Sequence, residues 1–246
     1  MCLGLLGLVL AALAVVVRQS AGVHRHVSGR TLAQRELSRA RVRLEADLRT
    51  ASASEIRTGL VPPSLAGGAA DGCALWFLSA VDPASGQVVR DTTGSPFWQR
   101  NILYYLVVPA GDSCAGGVGP GGLDDRCPHK VLVRKVIDSG VPTSPTTDPS
   151  TTEESLLPDV SLYLDRPVGV STTGLGGPGL EQVQLAASSL LWFEASLGPP
   201  LWNGAVQLDL RAVSLEEAGP RVTLGSQPMA TSPYTFQTLL GISPGN

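Results

Sequence analysis

Histidine is scarce in this chain: three residues in 246, none in a spacing that chemistry demands. His24 and His26 lie near the N-terminus, and His129 follows a Cys-Pro pair. A His-centred general base, or a metal held by paired Cys/His ligands, is poorly supplied. Charge is sparse too, at 16% of residues, and its formal balance is −3. Without a basic excess there is no electrostatic reason for a nucleic-acid partner. Acid is missing altogether before Glu36, and a basic residue before Arg18. Aromatics make up only 5%, yet they cluster in Leu75-Trp76-Phe77, Phe97-Trp98, Tyr104-Tyr105 and Trp192-Phe193, where strand cores use them. No internal repeat is visible.

What is abundant is turn chemistry. Glycine (28) and proline (19) punctuate short apolar runs after residue 58, which implies a β-rich, loop-rich body. Cys73–Val81 is such a run, and Asp82-Pro-Ala-Ser-Gly86 follows it as a turn before Gln87–Asp91, so the segment reads as a hairpin. Residues 101–108 and 130–137 are further strand candidates, as are 182–186, 190–195 and 205–213. In the last of these Val206, Leu208 and Leu210 alternate with Gln207, Asp209 and Arg211, the pattern of an antiparallel sheet with one wet face. Residues 139–155, SGVPTSPTTDPSTTEES, hold almost nothing apolar and read as a mobile Pro/Ser/Thr-rich loop.

The N-terminal region is different in kind. CLGLLGLVLAALAVVV, residues 2–17, is sixteen residues without a charge. Residues 31–56 contain no Gly or Pro and are rich in Ala, Leu, Arg and Glu, which is a helical composition. Ala33, Leu37, Ala40, Leu44, Leu48 and Ala51 recur at helical steps and form one narrow apolar stripe, a candidate packing face, while Arg35, Arg39, Arg41, Arg43, Glu45 and Arg49 mostly lie elsewhere. Gly59 and Pro62-Pro63 are the stop signals. The expected organisation is a helix over 1–58, membrane-embedded first and amphipathic after, and a β-rich domain over 59–246.

A search for catalytic constellations yields little. Cys114 and Cys127 enclose a glycine-rich loop at a spacing that suits a disulfide in an exported domain. A zinc site at Cys127 and His129 lacks a second ligand pair, and a Cys127/His129 nucleophile pair lacks an orienting group. Gly116 to Gly122 lacks the Lys-Ser/Thr ending of a phosphate loop, and Asp112, Asp124 and Asp125 lack the spacing of a calcium loop. Glu153-Glu154 and Glu216-Glu217 read as solvated pairs. No cofactor, metal or catalytic residue is expected.

Several stretches, taken in order, resemble a family. Leu44-Glu-Ala-Asp-Leu-Arg-Thr-Ala51 at a helix end, Ala74-Leu-Trp-Phe-Leu-Ser-Ala, Asp91-Thr-Thr-Gly-Ser-Pro-Phe-Trp-Gln-Arg, Ile102-Leu-Tyr-Tyr-Leu, Val131-Leu-Val-Arg-Lys135 and the terminal Pro244-Gly-Asn246 are similar to type IV pilin-like proteins. The likeness is greatest to the J-type minor pseudopilins of the type II secretion system. It departs where the family has a basic leader, a cleavage Gly-Phe and a nearby glutamate: here Gly4 precedes Leu5 and the first acid is Glu36. A missing start to the helix is the expected cause. The resemblance implies a pilin-like α+β fold, with a long helix packed on an antiparallel sheet domain. It also implies a non-catalytic filament subunit at the inner membrane, single-pass, whose partners are other pilin-like subunits met through the N-terminal helix. The alternative is a single-span or secreted β-rich binding domain unrelated to filaments.

Overall fold

A computed structural model describes residues 2–66, 73–111, 130–139, 153–198, 205–214 and 235–244. One helix, α1 (Cys2–Leu48), leads into a sheet of seven strands: β1 (Ala51–Gly59), β2 (Ala74–Ser79), β3 (Arg100–Val107), β4 (Lys130–Ile137), β5 (Leu180–Leu197), β6 (Val206–Val213) and β7 (Thr235–Ile242). The strands pair in chain order, every pair antiparallel, so the sheet is an uninterrupted meander.

Two layers of side chains hold it. On the inner face Ala33, Leu37, Ala40, Leu44 and Leu48 of α1 pack against Phe77, Tyr104, Leu132, Phe193 and Leu210 from five different strands. On the opposite face of β2, β3 and β4, Trp76, Leu103, Tyr105 and Val133 are covered by a strap from residues 153–179 that contributes Leu157, Val160 and Tyr163. Burial on both faces explains why β2 reads as a continuous apolar run and why β4 is buried at every position, its Lys130, Arg134 and Lys135 included, whereas the exposed outer face of β6 keeps its alternation.

The pilin-like α+β expectation, with a membrane half, does not hold for this structure. Among the described residues no helix is long and apolar enough to cross a membrane, and the body is mostly β, a curled seven-stranded antiparallel sheet behind one long helix, with a further single helical turn at Pro63–Ala66.

The helix also ends earlier than its composition suggests, at Leu48 rather than near residue 58. Thr50 closes a turn by donating from its backbone N–H and its Oγ1 to the carbonyl of Asp47, at 3.2 and 2.9 Å. The Ala-Ser-Ala-Ser segment beyond is helix-compatible but weakly so, and it pairs instead with the edge of β2, from Ala51 opposite Ser79 to Gly59 opposite Ala74. Ala51 is fully buried as a strand residue, not a helical one. With β1 and β3 occupying both edges of β2, Gln87–Asp91 has no edge to join; Val81 and Val88 form a lone bridge where a hairpin strand was expected.

Strand β5 is a single eighteen-residue strand where the sequence suggests two. Its first half pairs with β4 and its second half with β6, and the change occurs at an irregularity around Ser188 and Ser189, the latter at φ 55°. A bulge of this kind frees a backbone N–H. Glu36 of α1 accepts it: Ser188 donates to Glu36 Oε2 from its N–H at 2.7 Å and from its Oγ at 3.1 Å.

Candidate functional site

The six residues of the predicted packing face are all buried, none more than 5% exposed. Five lie on α1 and press into the inner core; burying the three leucines contributes about 1.5–3 kcal/mol each. Cys114 and Cys127, with His129, the glycine-rich loop and Glu216-Glu217, lie outside the described residues, as do residues 140–152 of the Pro/Ser/Thr-rich loop. Among the described residues no group of three metal-ligating side chains exists.

Polar ties fix the same stretch of helix from one side. Arg43 donates to Gln184 Oε1 at 2.7 Å, and Arg39 to the Leu185 carbonyl at 3.4 Å. The strongest tie is at the helix end. Asp47 Oδ2 accepts from Arg134 Nε at 2.6 Å and from the Tyr104 hydroxyl at 2.5 Å, while Oδ1 accepts from Arg134 Nη2 at 3.3 Å. Burial, followed by the adjacent Asp47 charge, drives the Tyr104 phenol far above its ordinary range. Burial disfavours the Arg134 charge, but the bond and charge of Asp47 outweigh it and hold the guanidinium more basic than usual.

A second cluster occupies the other face at the same level. Lys135 Nζ donates to the Tyr163 carbonyl at 2.7 Å, to Asp165 Oδ1 at 2.5 Å and to the Gly176 carbonyl at 3.2 Å. Three acceptors use all three ammonium protons, so the group is a tie for the strap and has no lone pair to offer as a nucleophile. Tyr105 donates to the same Asp165 Oδ1 at 2.9 Å, and burial raises its phenol strongly, with Asp165 adding to the effect. Burial lowers the Lys135 pKa against the opposing pull of Asp165.

The two clusters have one origin. Tyr104 stands opposite Arg134 and Leu103 opposite Lys135, and successive strand residues point to opposite faces. The dipeptides Tyr104-Tyr105 and Arg134-Lys135 thus supply one aromatic hydroxyl and one cation to each side of the sheet. Sequence reasoning singled out both dipeptides and the helix-end stretch that holds Asp47, but neither Asp165 nor any of the pairings, because the pairs span 57, 87, 60 and 30 residues.

Glu154 departs from the solvated reading. It is 6% exposed, accepts from Asn101 Nδ2 at 3.1 Å and from the Ser139 and Ser155 N–H groups at 3.2 Å each, and is also bonded by the Ser139 hydroxyl. Burial raises its pKa in spite of those donors.

Beyond the sheet the helix changes character. Leu10, Leu13, Val15, Val16, Val17, Val23, Val27 and Leu32 are all exposed, Val23 by 64%. Packing on the sheet domain begins at Ala33, so residues 2–32 project about 46 Å at 1.5 Å per residue. At the junction Arg30 sits 5.5 Å over the Phe236 ring of β7.

This chain matches no protein-family model, no curated protein and no solved structure. The feature that stands out in its geometry is an anchored half-helix continuous with an apolar half that the sheet does not cover.

Proposed function

We propose that this chain is a non-catalytic assembly subunit that joins other subunits through its projecting N-terminal helix. The proposed setting is a filament of the type II secretion or type IV pilus kind, with this chain as a minor subunit. One observation carries the proposal: α1 is rigidly fixed to the sheet from Ala33 to Leu48, while its preceding apolar residues are exposed. A helix held this way is presented at a defined angle, which lowers the entropic cost of packing it against another helix. The motif resemblance supports the filament setting, since its helix-end, Tyr-Tyr and Arg-Lys stretches supply Asp47, Tyr104 and Arg134 to the tie that fixes the helix.

The test is photo-crosslinking in the native cell from a benzoylphenylalanine placed at Val16 or Val23. The expected result is a crosslink to the N-terminal helix of another subunit, lost when the photoreactive residue is moved to Gln207 on the outer face of β6. Recovery of monomer alone from every native context would refute assembly through this helix.

A further inference from the structure

The projecting helix carries charge of one sign only. Between residues 2 and 32 it has Arg18, Arg25 and Arg30 and no acid, and the exposed Arg35 follows at the start of the packed part. The carboxylates that follow on the same helix each have a partner within this chain. Glu36 is taken by Ser188, Glu45 by Arg41 and Arg49 at 3.7 and 2.5 Å, and Asp47 by Arg134 and Tyr104.

A second copy is consequently a poor occupant. Parallel helices in register set arginine against arginine, and like charges at facing positions are repulsive. A staggered copy brings those arginines level only with carboxylates that already have partners. We infer that the helix is built for an α-helix of a different chain, apolar over about four turns and then bearing carboxylates level with residues 18–35. The apolar part supplies the contact area and the arginines select the partner and set the register. This inference rests on the assembly role proposed above and adds the chemistry of the partner to it.

The experiment uses the full chain in mild nonionic detergent and two synthetic helical peptides. Both begin with a Leu/Ala run of about four turns; the remainder carries Glu in one and Lys in the other at matching positions. Fluorescence anisotropy is expected to show the Glu peptide binding roughly tenfold tighter than the Lys peptide, with the difference shrinking in high salt. The variant Arg18→Glu/Arg25→Glu should reverse the preference, and circular dichroism on it verifies that the fold is retained. Equal binding of the two peptides overturns the charge selection while leaving helix-mediated assembly standing. Helix-dependent self-association in sedimentation equilibrium, or binding to phosphatidylglycerol vesicles without discrimination between the peptides, also overturns it. Failure of both peptides together with absence of any native crosslink removes the assembly role as well.

Discussion

Replacing Asp47 by alanine removes the carboxylate that joins the end of α1 to two strands. Arg134, with its side chain only 9% exposed, then loses the partner at 2.6 Å, and the Tyr104 hydroxyl loses its acceptor. Breaking a buried ion pair by deleting one member costs about 3–5 kcal/mol, because the remaining charge is stranded. Asp47 is 17% exposed and Gln182 Oε1 still accepts from Arg134 Nη1 at 3.2 Å, which places the loss toward the lower end, about 3 kcal/mol. For a chain of this size that is a fall in Tm of roughly 6–12 °C. Urea unfolding at pH 7, followed by tryptophan fluorescence, reads the change directly. The companion variant Asp47→Leu/Arg134→Met removes both charges and should recover more than half of the loss, since an apolar pair of similar volume is close to neutral. A loss below about 1 kcal/mol for Asp47→Ala, or strictly additive costs in the double variant, would refute the view that this pair pins the helix.

Two other predictions probe the strap and its surroundings. Burial raises the folded pKa of Glu154 above its unfolded value, so its contribution to stability is complete below the ordinary glutamate pKa and lost as pH rises through the folded one. The stability of Glu154→Gln relative to the parent should accordingly rise with pH, measured by urea titration from pH 4 to 8; a flat difference contradicts the assignment. Gly179 has φ +68°, and a Cβ there would meet the Asp138 carbonyl oxygen at 1.8 Å. Gly179→Ala should cost about 2 kcal/mol or more in the same assay, whereas Gly176→Ala, whose Cβ meets open space, should stay within about 1 kcal/mol.

Strand β7 and the strap are the elements least visible in the sequence. Thr-Phe-Gln-Thr-Leu-Leu-Gly-Ile has no clean alternation, and it is placed by register against β6, from Thr235 opposite Val213 to Ile242 opposite Val206. The strap has no regular structure beyond one short 3-10 turn at Ser161–Tyr163; its place is fixed by long-range bonds such as Trp76 Nε1 to the Leu157 carbonyl at 2.9 Å. Neither periodicity nor propensity reports contacts of that separation. Likewise, nothing in Glu36 itself announces that it receives the unpaired N–H of a bulge 152 residues away.

The sequence by itself determined the local matters. The stripe from Ala33 to Leu48, the cores of β2, β3, β4 and β6, and the uncharged opening of α1 follow from spacing and composition alone, because a helix or strand repeats over a few residues. The tertiary structure decided where local preference was weak or where a partner was distant. It ended α1 at Leu48 in favour of β1, since the edge of β2 offers hydrogen bonds that a frayed helix end lacks. It joined Asp47 to Arg134 and Asp165 to Lys135, for a buried charge must find its counterpart wherever the fold brings one. And it left residues 2–32 projecting, because the sheet presents inner surface for only the second part of the helix.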